Sequence, residues 1–340
     1  MISYLLFIIL SITLYFIIYY NRQKIGKLFH VMDIPNEKRK IHTTPTPKTA
    51  SYSLALLLLT LIITNNFFNL YSDENFNIIL ISTLLVFLVG YFDDRFGLSP
   101  SIKIILISLI GFIACISSEK FIIERFYLSH LDFYFLLENF SIFFTILCIL
   151  CLTNALNLAD GVNGLAVGII FFWLLYLNQI YENNLNISIF ILIFINLILI
   201  FIHNFKGSHF LGDAGSLMLS SFVAFLTIYL HNINDTHPNP QTSAESLTII
   251  FLIPIIDMLR LFFERLITKK NPYQGDNNHL HHYLIKKFNL TLALIIYFLL
   301  MNVPIFFSVY SSVNKLLIIF ITILIYFIFL INYKIKLTKA

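Results

Sequence analysis

Two adjacent carboxylates, Asp93 and Asp94, close an apolar run in Val89-Gly90-Tyr91-Phe92-Asp93-Asp94-Arg95. Ionisable groups at the edge of a bilayer are costly and need a partner, so paired acids there point to a bound cation and a phosphate. Acids at a helix C-terminus also oppose the helix dipole, which argues against a purely anchoring role. Neighbouring side chains on a helix project about 100° apart. The two acids therefore suit different tasks, one holding a metal and the other a proton or a basic partner.

Four further clusters offer compatible chemistry. The segment from Arg39 and Lys40 through His42 to Lys48 supplies positive charge. In Asn154–Ala166, the residues Asn154, Asn157, Asp160 and Asn163 recur every third position, so a helix would align them on one face. Gly161 and Gly164 permit a sharp turn and close backbone approach to a nucleotide or phosphate; a hydrogen-bonded seam between helices is the alternative for that stripe. Gly212-Asp213-Ala214-Gly215-Ser216 opens another apolar run, which places its amides at a helix N-terminus where anions bind. Asp213 is there either a plain N-cap or a ligand for a hard cation, because Mg²⁺ accepts one or two carboxylates and completes its shell with phosphate and water. Finally, Asp276-Asn277-Asn278-His279-Leu280-His281-His282 gathers three imidazoles without a cysteine, which fits diphosphate contact or proton handling better than zinc. His30, His130, His231 and His237 lack such company and read as ordinary surface residues.

The elements that must position these clusters are apolar helices. Of the 340 residues 58% are hydrophobic and only 12% charged, and mean hydropathy is +0.84, which excludes a water-soluble protein. Apolar runs predict about eleven spans, at 2–20, 50–71, 77–92, 102–118, 139–158, 163–180, 186–203, 215–231, 246–267, 290–310 and 315–333. If the first loop, 21–49, with seven basic residues, is cytoplasmic, alternation places 19 of the 22 Lys and Arg on that side. The N-terminus is then extracytoplasmic, the C-terminus cytoplasmic, and all five polar clusters share the inner face. The first span has no basic region before it and no small-residue cleavage site, and reads as a retained helix. Cys115, Cys148 and Cys151 lie in apolar runs and read as packing residues. With no repeat and no linker, residues 1–340 form one integral domain, in which 268–289 is a large cytoplasmic loop bearing the histidines. The fold class is an all-α polytopic membrane protein with a cytoplasmic cleft.

In content and order the clusters resemble those of the polyprenyl-phosphate N-acetylaminosugar 1-phosphate transferases, glycosyltransferase family 4. This family includes the phospho-MurNAc-pentapeptide translocase and the GlcNAc-1-phosphate transferases. The resemblance covers roughly residues 38 to 290. It implies that Asp93 and Asp94 form the aspartate pair engaging metal and lipid phosphate, and that Asp213, with Asp94, holds Mg²⁺ or alternatively Mn²⁺. Asn154, Asn157, Asp160 and Asn163 would border uridine and metal, Phe210 would stack on uracil, and Lys48 and Lys103 would sit near phosphates. His279, His281 and His282 match the family's histidine motif, and their pattern looks like the GlcNAc branch. The implied reaction transfers an N-acetylaminosugar 1-phosphate from a UDP-sugar to polyprenyl (undecaprenyl) phosphate in a bacterial cytoplasmic membrane, the first membrane step of an envelope polysaccharide. The partners are those two substrates and the bilayer, with no nucleic acid; a homodimer is allowed. Asn163 stands where many members carry aspartate, Lys48-Thr49-Ala50-Ser51 where an arginine and paired glycines are common, and Asp276-Asn277-Asn278 where an Asp-Arg pair is usual. A direct in-line attack and a two-step route through an aspartyl phosphate both fit the residues. The competing reading is a transporter, which would place its polar groups near the midplane and show repeat symmetry.

Overall fold

The structure is a computed structural model that describes residues 2–35, 44–68, 73–181, 187–235, 242–271 and 278–337. Arg39, Lys40, His42, His237, Asp276 and Asn277 lie outside the described residues. Contacts divide the chain into two compact units, Met1–Ile122 with Ile142–Asn232, and Ile123–Ser141 with Ile233–Ala340.

The first unit contains α1 (Ile2–Leu28), β1 (Met32–Asp33), β2 (Thr46–Pro47), α2 (Tyr52–Phe68), α3 (Asn75–Phe96), α4 (Pro100–Ser117), α5 (Ser141–Ala159), α6 (Leu165–Ile180), α7 (Ile187–Phe205) and α8 (Gly212–Asn234). The second contains the antiparallel hairpin β3 (Arg125–Leu128) and β4 (Phe133–Leu136), then α9 (Ala244–Ile267), α10 (Leu280–Lys287), α11 (Leu290–Tyr310) and α12 (Lys315–Leu337). Every apolar run singled out in the sequence coincides with one of these helices. The chain is a mostly helical, multi-pass membrane protein: α1, α3, α4, α5, α8, α9 and α11 are long and apolar enough to cross a membrane, and α2, α6, α7 and α12 are shorter apolar helices. The hairpin is a departure from the all-α expectation. Its two strands, Arg125–Leu128 and Phe133–Leu136, are four residues each, too short to stand out within so apolar a chain.

The helix ends around the site have local causes. Gly97 ends α3 in a left-handed conformation and its amide reaches the Asp93 carbonyl at 2.8 Å. Two residues on, Ser99 caps α4, with Pro100 as its first residue. This short turn brings Lys103 back beside Asp93. Helix α8 differs from its neighbours in being buried from Ala214 through His231. Its small residues, Ala214, Gly215, Ser216, Ser220, Ser221 and Ala224, allow close helix approach. The hydroxyls of Ser220 and Thr227 donate to carbonyls one turn back at 2.7 Å, which removes their cost in an apolar setting.

Of the histidines read as surface residues, His231 is not one, and His130, though exposed, is tied to a buried acid. His231 is buried, and His130 Nδ1 lies 2.7 Å from the buried carboxylate of Glu245, which also accepts the amides of Ser129 and His130 and pins the hairpin to α9. The partner of His130 lies 115 residues away in sequence, where local inspection does not see it.

Candidate active site

The C-terminal ends of α3 and α5 and the N-terminal ends of α4 and α8 meet in the first unit, and five charged residues converge there. Asp94 accepts three hydrogen bonds: from Lys48 Nζ at 3.0 Å and the Asp213 amide at 3.1 Å on Oδ1, and from the Ala214 amide at 2.9 Å on Oδ2. Its side chain is 1% exposed. Asp94 thus caps α8 from another helix, with a full negative charge at the positive end of that helix's dipole. Expected to hold a cation with Asp213, it has its carboxylate taken up by protein donors.

Asp93 points elsewhere, as the angle between adjacent helix positions requires. Its Oδ2 pairs with Lys103 Nζ at 2.6 Å, and the same ammonium lies 3.6 Å from Asp213 Oδ2. Two carboxylates from α3 and α8 therefore converge on one positive charge. Asp213 is the accessible member, with its side chain 38% exposed. Asn157 orients it, donating to Asp213 Oδ1 at 3.0 Å and approaching Ser216 Oγ at 2.9 Å.

Close backbone contact makes this convergence possible. A methyl group on Gly90 would stand 2.4 Å from the Asp213 carbonyl oxygen and 2.5 Å from the Ala214 Cα, so α3 and α8 touch at a position open only to glycine. Gly212 has φ +70°, and a Cβ there would stand 2.6 Å from Asp94 Oδ2.

Outside the spans, charge and burial act on the remaining members. Lys48 is drawn toward its neutral form by burial, but the charges of Asp94 and Asp213 outweigh this and raise its affinity for a proton. Asp160, just past α5, is pushed well above the ordinary carboxylate range by burial first and then by Asp213 and Asp94, with Lys48 opposing. Its carboxylate makes no hydrogen bond or ion pair among the described residues. The helical stripe is only partly realised: Asn157 joins the cluster, whereas Asn154 donates back to the Leu150 carbonyl of its own helix at 2.8 Å. Asn163 packs against Gly207, its Nδ2 lying 3.1 Å from where a Cβ would stand.

Phe210 is held by its backbone. Its amide donates to the Pro47 carbonyl at 3.0 Å and its carbonyl accepts the Ala50 amide at 3.1 Å, a two-bond ladder that ties Lys48 to the loop before Asp213. Two residues absent from the sequence reading support it. Asn204 accepts the Gly164 amide at 2.6 Å and donates to the His209 carbonyl at 3.0 Å. His209 Nε2 lies 2.8 Å from Thr49 Oγ1; burial, then Arg22 and His203, lower the ring to about 3 and keep it neutral. The signal for both was their position in 203–210, immediately before the Gly-Asp motif, but single polar residues beside an apolar run carry no periodicity.

The histidine motif belongs to the second unit. His279 N-caps α10 and its Nδ1 lies 2.8 Å from Asp257 Oδ2. His281 and His282 follow on the first turn, with ring centroids 4.3 Å apart. Burial first, then His282 and His279, hold His281 well below the usual histidine range against the opposing pull of Asp257. Asp257 was missed: it stands inside an apolar run, where a single charge fits no local motif.

Among the described residues no group of three or more His, Cys, Asp or Glu side chains is placed to hold a metal ion. An all-protein cage is thus not preassembled, whereas two carboxylates already sharing one cationic group form a donor set suited to Mg²⁺, which leaves most of its shell to water and phosphate.

Residues 76–231, from α3 to α8, match the model of glycosyl transferase family 4. The chain is 27% identical over 216 residues to an undecaprenyl-phosphate alpha-N-acetylglucosaminyl 1-phosphate transferase of Escherichia coli K12, a match covering 60% of this chain and 56% of that protein. Enzymes of the same name from Yersinia pestis and Thermotoga maritima are 27% identical over 279 residues (78% and 72% of the two chains) and 25% identical over 310 (91% and 90%). The chain thus spans little more than half the length of the Escherichia coli relative and nearly all of the Thermotoga one. The segment bearing Asp93, Asp94, Lys103, Asn157, Asp160 and Asp213 matches the model of glycosyl transferase family 4, the family its motifs resemble.

Proposed function

We propose that the protein transfers an N-acetylaminosugar 1-phosphate from a UDP-sugar to polyprenyl phosphate, releasing UMP. The observation that carries this reading is the convergence of Asp93 and Asp213 on one ammonium, flanked by Lys48, at the end of apolar helices. Such a site suits two anionic substrates, one of them membrane-bound. The N-acetylglucosamine in the relatives' names favours that sugar over a MurNAc-peptide.

In this reading a phosphate oxygen of the lipid attacks the sugar-linked phosphorus, a new P–O bond forms, and the bond to the UMP oxygen breaks. Asp213 and Asp93 would hold Mg²⁺, which supplies charge neutralisation for the diphosphate. Lys103, released from between the two acids, takes up a phosphate charge, as does Lys48. Asn157 fixes the rotamer of Asp213. Asp94 holds the α8 N-terminus so that Asp213 is correctly aimed. Asp160 contributes a polar wall for the ribose or the metal's water, and Phe210 offers a face to uracil. A phosphate is already a strong nucleophile, so placement and charge neutralisation suffice without a covalent enzyme intermediate.

The reading includes a topology. The four shorter apolar helices also span, giving eleven, with the N-terminus outside and the acid cluster facing the cytoplasm of a bacterial inner membrane. Single-cysteine labelling from each side tests that arrangement.

The test of function is UMP release by purified protein given undecaprenyl phosphate, Mg²⁺ and a panel of UDP-sugars. Turnover with a UDP-N-acetylaminosugar, abolished by chelator and restored by Mg²⁺, is expected. No UMP from any UDP-sugar overturns the proposal.

A further inference from the structure

The carboxylate of Asp257, inside the apolar helix α9, gathers four donors from three elements. Oδ2 meets His279 Nδ1 at 2.8 Å, and the Leu280 amide lies 3.2 and 3.3 Å from the two oxygens. Oδ1 also accepts from Arg260 Nη2 at 3.0 Å and from the Tyr326 hydroxyl of α12 at 2.6 Å. Arg260 is itself fixed: Nε donates to the Tyr326 oxygen at 2.9 Å, Nη1 to Glu264 at 3.1 Å and Nη2 to the Asn278 carbonyl at 2.6 Å. Asp257 and His279 are both about 4% exposed. A buried ion is retained only with excellent geometry, and hydrophobic replacements of such networks are often no less stable. That cost, placed against the one histidine that begins α10, points to a task beyond packing.

We propose that Asp257 is the positioning residue of the histidine motif, fixing the ring orientation and tautomer of His279 and the first turn of α10, so that Nε2 is the ring atom left for an anionic ligand. A carboxylate on Nδ1 assigns the neutral ring's proton to that nitrogen and leaves Nε2 free to accept a proton or, once protonated, to donate to an oxyanion. The inference rests on the transferase reading for the identity of the substrate, but the side-chain pairing stands without it. His279 meets Asp257 on α9 and the rings of His281 and His282 on α10, while Arg260 of α9 and Tyr326 of α12 hold the Asp257 carboxylate, Tyr297 of α11 adds its influence there, and Glu264 of α9 holds Arg260. Asp257 and Glu264 are the acids among them, and Glu264 is paired with Arg260.

The experiment combines two readouts on the full-length protein in detergent. Nitrogen-15 NMR of histidine-labelled protein, with His279 assigned by His279→Gln, reads the tautomer without turnover. UMP release against pH reads kcat and KM. Wild type is expected to carry the proton on Nδ1. In Asp257→Asn the preference for the Nδ1–H tautomer is lost. Turnover falls about 10- to 100-fold, as for other partners of functional histidines, with a smaller change in KM. Tyr326→Phe removes one of the donors that hold the carboxylate, so the tautomer preference weakens without being lost and turnover falls less; this variant decides the matter if Asp257→Asn does not accumulate. An Nε2–H tautomer in wild type, or a tautomer population unmoved in either folded variant, overturns the proposal. Absence of UMP release from wild type would overturn the function while the NMR arm still decides Asp257.

Discussion

Replacing Asp94 with alanine tests whether this residue builds the site or reacts in it. The substitution deletes the acceptor for two α8 amides and the Lys48 ammonium at once. Loss of the cap costs about 1 kcal/mol. Breaking a fully buried ion pair costs about 3–5 kcal/mol, but Lys48 keeps a side chain 28% exposed and can turn to water, so about 1–2 kcal/mol is the appropriate share. The total, about 2–3 kcal/mol, should appear as a fall in the thermal midpoint in detergent together with loss of turnover. Asp213→Asn should behave oppositely, because its carboxylate is partly exposed and an amide can still meet Asn157: about 1 kcal/mol or less in stability, but a loss of turnover of about 100-fold or more. Paired melting and UMP-release measurements on both variants check this. Wild-type melting of Asp94→Ala alongside lost turnover, or a larger stability loss in Asp213→Asn, would refute the assignment of Asp94 to the helix end.

Three further outcomes are expected. Gly90→Ala, whose new methyl would overlap the backbone of Asp213 and Ala214, should cost about 1–3 kcal/mol by melting and depress turnover by separating α3 from α8. Lys103→Met should reduce UMP release more than Lys103→Arg does, and should sharpen rather than abolish Mg²⁺ dependence, as removing an ammonium that competes for Asp93 and Asp213 requires. His281 and His209 are held neutral when folded, with their proton affinities lowered. Their stabilisation is therefore complete above about pH 6.5, where the unfolded rings are also neutral, and is lost as pH falls from there toward the folded values, about 3 for His209. Melting midpoints should decline across that window, and less steeply in a His209→Asn variant that still folds.

The sequence made the helices legible because an apolar run long enough to span a bilayer carries one dominant signal, and each run became a helix. It also exposed Asp93, Asp94 and Asp213, since charges at the ends of such runs stand out. The division of labour between Asp93 and Asp94 was half visible: a helix turns adjacent residues apart, but which one meets Lys103 depends on the turn at Gly97 and on where α8 begins. Asp257 and Tyr326 lie sixty-nine positions apart, and His209 and Asn204 act through single hydrogen bonds to loop backbone. Nothing local marks such residues; their meaning comes from what folding brings beside them.

Helix α8, enclosed from Ala214 to His231, carries Asp213 at its tip. Helices whose sides meet lipid tilt or bend when bilayer thickness or tail composition changes. A helix screened along its length from acyl chains has no such surface on which lipid can act. Asp213, carried on that screened helix, is thereby mounted like a post on bedrock, and the reacting geometry should tolerate changes in growth temperature or lipid content that alter the tilt of more exposed helices such as α4.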